Sequence, residues 1–312
     1  PESHAASFAL LVYVSAWIKC FEPAAFLCGL LNSQPMGFYG PSQLIQDARR
    51  HHVEVLPADA AWSDWECTQV PSSSDPAHPA ARLGLCLVKG FNRKAAERIA
   101  KARQLHPFQD VEDLARRAAL SAAELRALAN AGALQTLAGH RHQACWAAAG
   151  CQAAPELLRE IPVPETMPPL PAPDETQEVI ADYARLGFSL GRHPLSFLRG
   201  LLRAERFLSA AEIAICPDRK LARAAGIVTC RQRPGTAKGT MFVTLEDETG
   251  WVNVIVRPEL LEADRQILLG ARLLGVYGQI TRQGSVVHLH AKRVVDRSSQ
   301  LGRLAARSRD FH

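Results

Sequence analysis

No two cysteines in this chain form a Cys-x-x-Cys pair, and eight cysteines over 312 residues are too sparse for a disulfide framework. The thiols therefore point to a reducing, cytoplasmic setting. A long apolar run is also missing. The longest, Phe8 to Ile18, spans 11 residues and contains Ser15, short of the ~20 needed to cross a bilayer. The first basic residue is Lys19, so no basic leader region precedes that run, and no membrane partner is expected. Catalytic signatures are absent too. There is no Asp-x-Asp pair of the kind that holds two metals for phosphoryl transfer, no Walker loop, no Gly-x-Ser-x-Gly and no Rossmann fingerprint. His140, His142, Cys145 and Cys151 match no common zinc spacing. No catalytic residue, metal ligand or cofactor is assigned to the chain, which reads as a set of binding surfaces.

The composition is that of a globular protein, 47% hydrophobic and 21% charged, with room for two or three domains. Net charge is +5, unevenly spread: residues 1–220 carry 22 Lys and Arg against 23 Asp and Glu, whereas 221–312 carry 14 against 8. A second basic run, Arg82 to Arg103, holds seven cations against Glu97 alone. Two basic segments in a near-neutral chain are suited to two contacts with a polyanion, each releasing counterions. Starting at Pro1 and running directly into an apolar helix, the chain is expected to be a piece of something longer.

Helical spacing covers 4–34, and Pro23 suits the first turn of a second helix. A turn at 37–41 leads into a helix to about His51. Val53 to Leu56 alternates as a short strand, and Val70 to Ala80 has loop composition. Short helices with tight turns are predicted over 81–150, followed by a proline-rich linker (151–177), a helical connector (178–220) and a tail (298–312). From Gly226 the period switches to two, with five short strands inside 221–297 and a helix, about Pro258 to Leu268, between the third and fourth. That order is the order of an OB-fold barrel.

Within the first basic run, Lys89-Gly90-Phe91-Asn92-Arg93-Lys94 forms a hairpin whose following helix can turn free N–H groups toward a phosphate. Gly90 permits the sharp turn, and Asn92 is expected in the left-handed region. Arg98 and Lys101 are expected to add charge there. The pattern resembles the helix-hairpin-helix motif, which grips duplex backbone without reading bases. Usual members carry Gly where this chain has Asn92. A degenerate second copy follows over 108–134, with a capping box at Ser121 and Glu124, and is read as the packing partner of the first.

On the barrel, alternation turns Val243, Leu245, Val252, Val254 and Val256 inward, with Phe242, Thr244, Trp251, Asn253 and Ile255 on the opposite face. That face suits a single strand. Phe242 is the candidate stacking platform, Thr244 lies beside it, and Asn253 can bond a base edge. Arg231, Arg233 and Lys238 in and beside the first loop can hold phosphates. His288 and His290 share one face of a strand and are read as edge residues near nucleic acid.

Ser3 to Ala9, Trp17 to Cys20, Glu22 to Phe26 and Leu31 to Tyr39 resemble the end of the fingers domain of bacterial C-family replicative polymerases. More narrowly, they resemble the error-prone, damage-inducible branch of the ImuC type, a family related to DNA polymerase III alpha. Gln46 to Arg50, Leu186 to Pro194, Arg231 to Gly235, Thr244 to Gly250 and the ending Ser308 to His312 belong to the same resemblance, which runs through the whole chain in order. It implies an α+β multidomain architecture. A helical fingers end (1–69) is followed by a tandem helix-hairpin-helix domain (81–150) and a five-stranded OB-fold (221–297). It also implies a DNA polymerase, a nucleotidyltransferase acting in translesion synthesis and DNA repair with Mg²⁺. The palm aspartates of such an enzyme would lie before Pro1. DNA is the implied partner, with accessory translesion proteins. The alternative is a stand-alone, non-catalytic module binding single-stranded and duplex DNA.

Overall fold

The computed structural model describes residues 2–37, 39–151, 168–302, 304 and 309–311. Residues 152–167 of the expected proline-rich linker lie outside the described residues, as does part of the 298–312 tail. The chain divides into two units, Pro1–Leu190 and Gly191–His312.

The first unit opens with α1 (Glu2–Phe21), apolar on every side and with no buried residue. By length and composition it could cross a membrane. The uninterrupted-run criterion missed this because small Ala and Ser residues extend the helix beyond Phe8–Ile18. Helices α2 (Pro23–Asn32) and α3 (Pro41–Arg50) both start on proline, whose missing N–H is an orphan at that position anyway. The buried stripe of α2, Ala24, Leu27, Cys28 and Leu31, has helical spacing. It packs on a three-stranded sheet ordered β1–β3–β2, formed by β1 (Val55–Leu56), β2 (Thr68–Val70) and β3 (Ala80–Arg82). Of these strands only the first was predicted, because Val53 to Leu56 alternates, whereas β2 and β3 lie at the two ends of the Val70–Ala80 stretch of loop composition.

Five helices follow: α4 (Arg93–Leu105), α5 (Val111–Arg117), α6 (Ala122–Asn130), α7 (Gln135–Ala138) and α8 (Arg141–Gly150). Ile99, Leu114, Leu125, Leu128 and Leu134 are fully buried in their common core. A further helix, α9 (Glu175–Arg185), belongs to the same unit. The buried Arg141 explains why: its guanidinium pairs with Glu178 at 2.6 Å and Asp182 at 2.5 Å and donates to the Asn130 carbonyl. Burying that charge requires these carboxylates. The stretch 178–220, expected as one connector, is thus divided, because α10 (Pro194–Ala204) and α11 (Ala210–Ala214) fall in the second unit.

The second unit is a closed five-stranded barrel with OB order. Its strands are β4 (Leu221–Gln232), β5 (Met241–Asp247), β6 (Gly250–Val256), β7 (Leu273–Gln283) and β8 (Val286–Asp296). They run β5–β6–β8–β7–β4, and β4 pairs back to β5. Between the third and fourth strands, where one helix was predicted, come two, α12 (Pro258–Ala263) and α13 (Arg265–Gly270), separated at Asp264, whose backbone is not helical. The inward row, including Val243, Leu245, Val252, Val254 and Val256, is buried with Val276, Ile280 and Leu289. A short β9 (Arg309–Phe311) pairs in parallel with β4. The β5–β6 turn is pinned by Asp247, which accepts from Thr249 N at 2.7 Å and Ala210 N at 2.8 Å. Arg199 bridges Asp247 and Glu248 at 2.8 and 2.5 Å.

Candidate nucleic-acid interfaces

The hairpin before α4 is built by two residues in different backbone regions. Gly90 has φ +79 and takes the left-handed turn. Asn92 does not. Contrary to the sequence expectation, it is extended (φ −121, ψ 153), and its side-chain oxygen accepts from Ala95 N at 2.9 Å as the N-cap of α4. An N-cap needs extended backbone to reach that amide, which is why Asn serves here where Gly would leave it unbonded. Arg93 and Lys94 are exposed in the first turn of α4, where backbone N–H groups have no intrahelical acceptor and favour an anion. Phe91 is buried and anchors the hairpin to the core.

Two of the expected cations are committed elsewhere. Lys89 Nζ donates to the Tyr183 and Ala184 carbonyls at 3.3 and 3.0 Å, and Lys89 N to the Arg185 carbonyl at 3.1 Å. It caps the C-terminus of α9, where a cation meets the negative end of the helix. Arg98 donates to the Ala118 carbonyl at 2.8 Å and forks onto both oxygens of Glu124 at 3.1 and 3.0 Å. Both were expected at phosphate, and both instead hold the helices together. Lys101 remains exposed further along α4.

Glu124 was legible only as half of a capping box, and the structure gives it a larger part. Besides Arg98 it accepts from Ser121 N at 2.8 Å and from Asn92 Nδ2 at 2.9 Å. One carboxylate therefore joins the N-caps of α4 and α6, the two hairpin repeats. Burial by itself would raise its pKa, but the hydrogen bonds from Ser121, Asn92 and Arg98 outweigh that and bring it down to about 2. Ser121, Asn92 and Glu124 were all visible in the sequence, but nothing local linked residues 32 apart.

On the barrel, the register defines the outer face. Phe242 lies opposite Ile255, Thr244 opposite Asn253 and Glu246 opposite Trp251. The parallel β6–β8 pairing sets Asn253 beside His288 and Ile255 beside His290. Phe242 and Thr244 are half-buried there, and Asn253 is exposed. Trp251 is 54% exposed and offers a larger ring than Phe242. Alternation in the sequence places it on this face as well. His288 and His290 are not edge residues, because β8 lies between β6 and β7. Partial burial, then Arg257 and His288, hold the His290 pKa below its usual value.

Arg231 corrects another expectation. It is 4% exposed and donates to the Leu268 and Ala271 carbonyls at the end of α13, at 2.6 and 2.5 Å. A guanidinium satisfied by these carbonyls serves the barrel and is withdrawn from any phosphate. Arg233 and Lys238 are exposed in the β4–β5 loop, as expected, and Arg257, which the sequence reading missed, follows β6. Among the described residues no group of three or more His, Cys, Asp and Glu could hold a metal ion. Asp247 and Glu248, in the one acidic triplet, are taken up by Arg199 and the turn. His140 accepts from Gln143 N as the N-cap of α8.

A family model described as a helix-hairpin-helix motif matches residues 52–144. Over its whole length the chain is 65% identical to an error-prone DNA polymerase of Aromatoleum aromaticum, covering 29% of that protein. It is 61% identical to one of Azoarcus sp., covering 30%, and 54% identical to one of Alkalilimnicola ehrlichii, again covering 30%. The chain thus spans about three tenths of the length of the curated relatives it matches. Among solved structures, asparaginyl-tRNA synthetase from Pyrococcus horikoshii is similar over 29% of this chain and 22% of its own, at 21% identity and a TM-score of 0.25.

Proposed function

We propose that this chain is the DNA-binding portion of an error-prone DNA polymerase of the C-family, ImuC type, that copies damaged templates in the bacterial cytoplasm. Identity of 54–65% along the full chain to three error-prone DNA polymerases carries the reading. The hairpin holds duplex backbone through Arg93, Lys94 and the first-turn amides of α4, with Gly90, Phe91 and Asn92 shaping it and Lys89 bracing it from behind. No base edge is read there. The outer barrel face holds single strand: Phe242 and Trp251 stack bases, Asn253 and Thr244 offer hydrogen bonds, and Arg233, Lys238 and Arg257 hold phosphates. Nucleotidyl transfer, and the Mg²⁺ that supports it, belong to the rest of the polymerase: among the described residues the neighbouring carboxylates Asp247 and Glu248 are held by Arg199 and a turn, and Glu178 and Asp182 by Arg141. Accessory translesion proteins are further partners of the whole enzyme.

Purified chain should bind both a duplex and a single-stranded oligonucleotide in a salt-dependent way, without extending a primer when Mg²⁺ and nucleotides are present. Template-dependent incorporation by this chain alone would sink the assignment of catalysis to the rest of the protein. Failure to bind either form of DNA would remove the binding reading.

A further inference from the structure

Beyond the outer face already described, the barrel carries a second cationic feature. Antiparallel pairing sets Arg223 of β4 opposite Tyr277 of β7, and Tyr277 opposite Arg293 of β8. The three side chains form one row on the outside of the barrel. Both guanidiniums lie against the tyrosine ring, with carbon-to-centroid distances of 5.0 Å for Arg223 and 5.1 Å for Arg293. Arg223 also donates to the Glu205 carbonyl at 3.1 Å, and Arg297 is paired with the Glu205 carboxylate. Three guanidiniums therefore share one neighbourhood with a single paired carboxylate. Arg293 is exposed and makes no ion pair among the described residues, nor does Lys292.

The backbone accounts for two cations in succession. The β7–β8 register slips between Tyr277 and Gly278, so that Ala291 faces Gly278 and Arg293 faces Tyr277, leaving Lys292 as the extra residue of a bulge. Strict alternation would turn one of Lys292 and Arg293 inward, and the bulge leaves both exposed. Gly278 makes room for it: a Cβ there would sit 2.2 Å from the His290 carbonyl oxygen. The same strand carries His288 and His290 on the single-strand face, beside Asn253 and Ile255. From His288 to Arg293 is five residues, about 16 Å of extended strand.

We infer that Lys292 and Arg293, with Arg223 and Tyr277 behind them, form a second phosphate-binding station that continues the path of a single DNA strand along β8. This rests on the single-strand reading of the outer face. Tyr277 holds the Arg293 guanidinium against its ring, Arg223 adds a second positive charge at the same ring, and a phosphodiester offsets the repulsion between the two. The station takes backbone and not bases, so it acts only on strands long enough to reach it.

The test compares oligothymidylates of about 5 and about 16 nucleotides, the two ends of the site-size range for one such barrel, titrated with the 312-residue chain. Substituting Lys292→Gln and Arg293→Gln together should leave the short probe unaffected. For the long probe it should flatten the salt slope by about 1.4, two contacts at ~0.7 each, a loss of roughly 25-fold near 0.1 M salt relative to 1 M. Trp251→Ala should weaken both probes. Unchanged long-probe affinity and slope in the double variant, with Trp251→Ala still damaging, would overturn the station alone. Equal loss on both probes would also overturn it, by placing these cations at the first site. No effect of Trp251→Ala on either probe would remove the single-strand face, and the extension with it. Thermal unfolding of the double variant at the parental temperature shows that the barrel is intact, and Arg293→Lys, which keeps the charge, should restore most of the salt slope.

Discussion

Replacing Glu124 by Gln keeps the shape of the side chain and removes the charge that Asn92, Arg98 and Ser121 converge on. The carboxyl is held at about 2 against an ordinary 4.5. At ~1.36 kcal/mol per pH unit that difference corresponds to ~3 kcal/mol favouring the folded state. Arg98 is 39% exposed on its side of the cluster, so screening by water reduces the expected loss to about 2 kcal/mol. For a unit of this size ~1 kcal/mol moves the melting temperature by roughly 2–4 °C, which gives a fall of about 4–8 °C at neutral pH. The sign with pH follows from linkage. A carboxyl whose folded pKa is depressed stabilises the fold above its unfolded value, and that stabilisation is lost as pH falls through the folded one. The gap between parent and Glu124→Gln should therefore be full at pH 7, shrink below about 4.5 and vanish toward about 2. Thermal unfolding followed by circular dichroism across that range measures it. A gap that stays constant with pH, or one absent at pH 7, would refute the idea that one charge joins the two hairpin caps.

Arg93→Ala with Lys94→Ala should flatten the salt slope for duplex by up to ~1.8, about 0.9 per phosphate contact, equally on unrelated sequences; an unchanged slope would make the hairpin a packing element. Arg231→Met should lower the melting temperature of the barrel, because the Leu268 and Ala271 carbonyls lose their donor at ~1–3 kcal/mol each. Arg233→Ala should do the opposite, weakening strand binding with little change in melting, and reversed outcomes would restore Arg231 to the binding set. Phe242→Ala and Trp251→Ala should each cost ~1–3 kcal/mol of single-strand affinity, with duplex affinity unmoved; loss of stability at retained affinity would put the residue in the core. The depressed pKa of His290 means that the free barrel loses stability as pH falls through and below about 6.5, where the unfolded chain takes up the proton more readily. A bound strand adds negative charge that offsets Arg257 and His288, so single-strand affinity should rise as pH falls, and His290→Gln should flatten that rise.

The barrel was legible because each of its strands carries its own alternation, and alternation assigns faces without knowing the partner. Val243, Leu245, Val252, Val254 and Val256 were placed inward from the sequence and are buried. Strands β2 and β3 escaped because they flank the Val70–Ala80 loop and neither adjoins an alternating run such as Val53 to Leu56 beside β1. The left-handed turn at Gly90 was readable from composition, but Asn92 was assigned the wrong backbone, since asparagine serves both left-handed turns and N-caps and only the Ala95 amide decides between them.

Basic residues were harder to sort, and the reason is physical. A cation in a sequence states its charge and says nothing of its acceptors. Lys89, Arg98 and Arg231 were grouped with Arg93, Lys94 and Arg233 by proximity along the chain, yet the first three meet carbonyls at helix ends or a partly buried carboxylate. The second three remain exposed, Arg93 making only a surface pair with Glu97 at 3.1 Å. Helix C-termini account for much of the difference: α9 and α13 end with unpaired carbonyls that a nearby Lys or Arg satisfies, and a phosphate cannot compete for that cation without leaving those oxygens unbonded. Net charge therefore overstates the DNA-binding surface at the hairpin and around α13. It understates the surface along β8, where Lys292 and Arg293 are set outward by a bulge that no alternation pattern in the sequence announces.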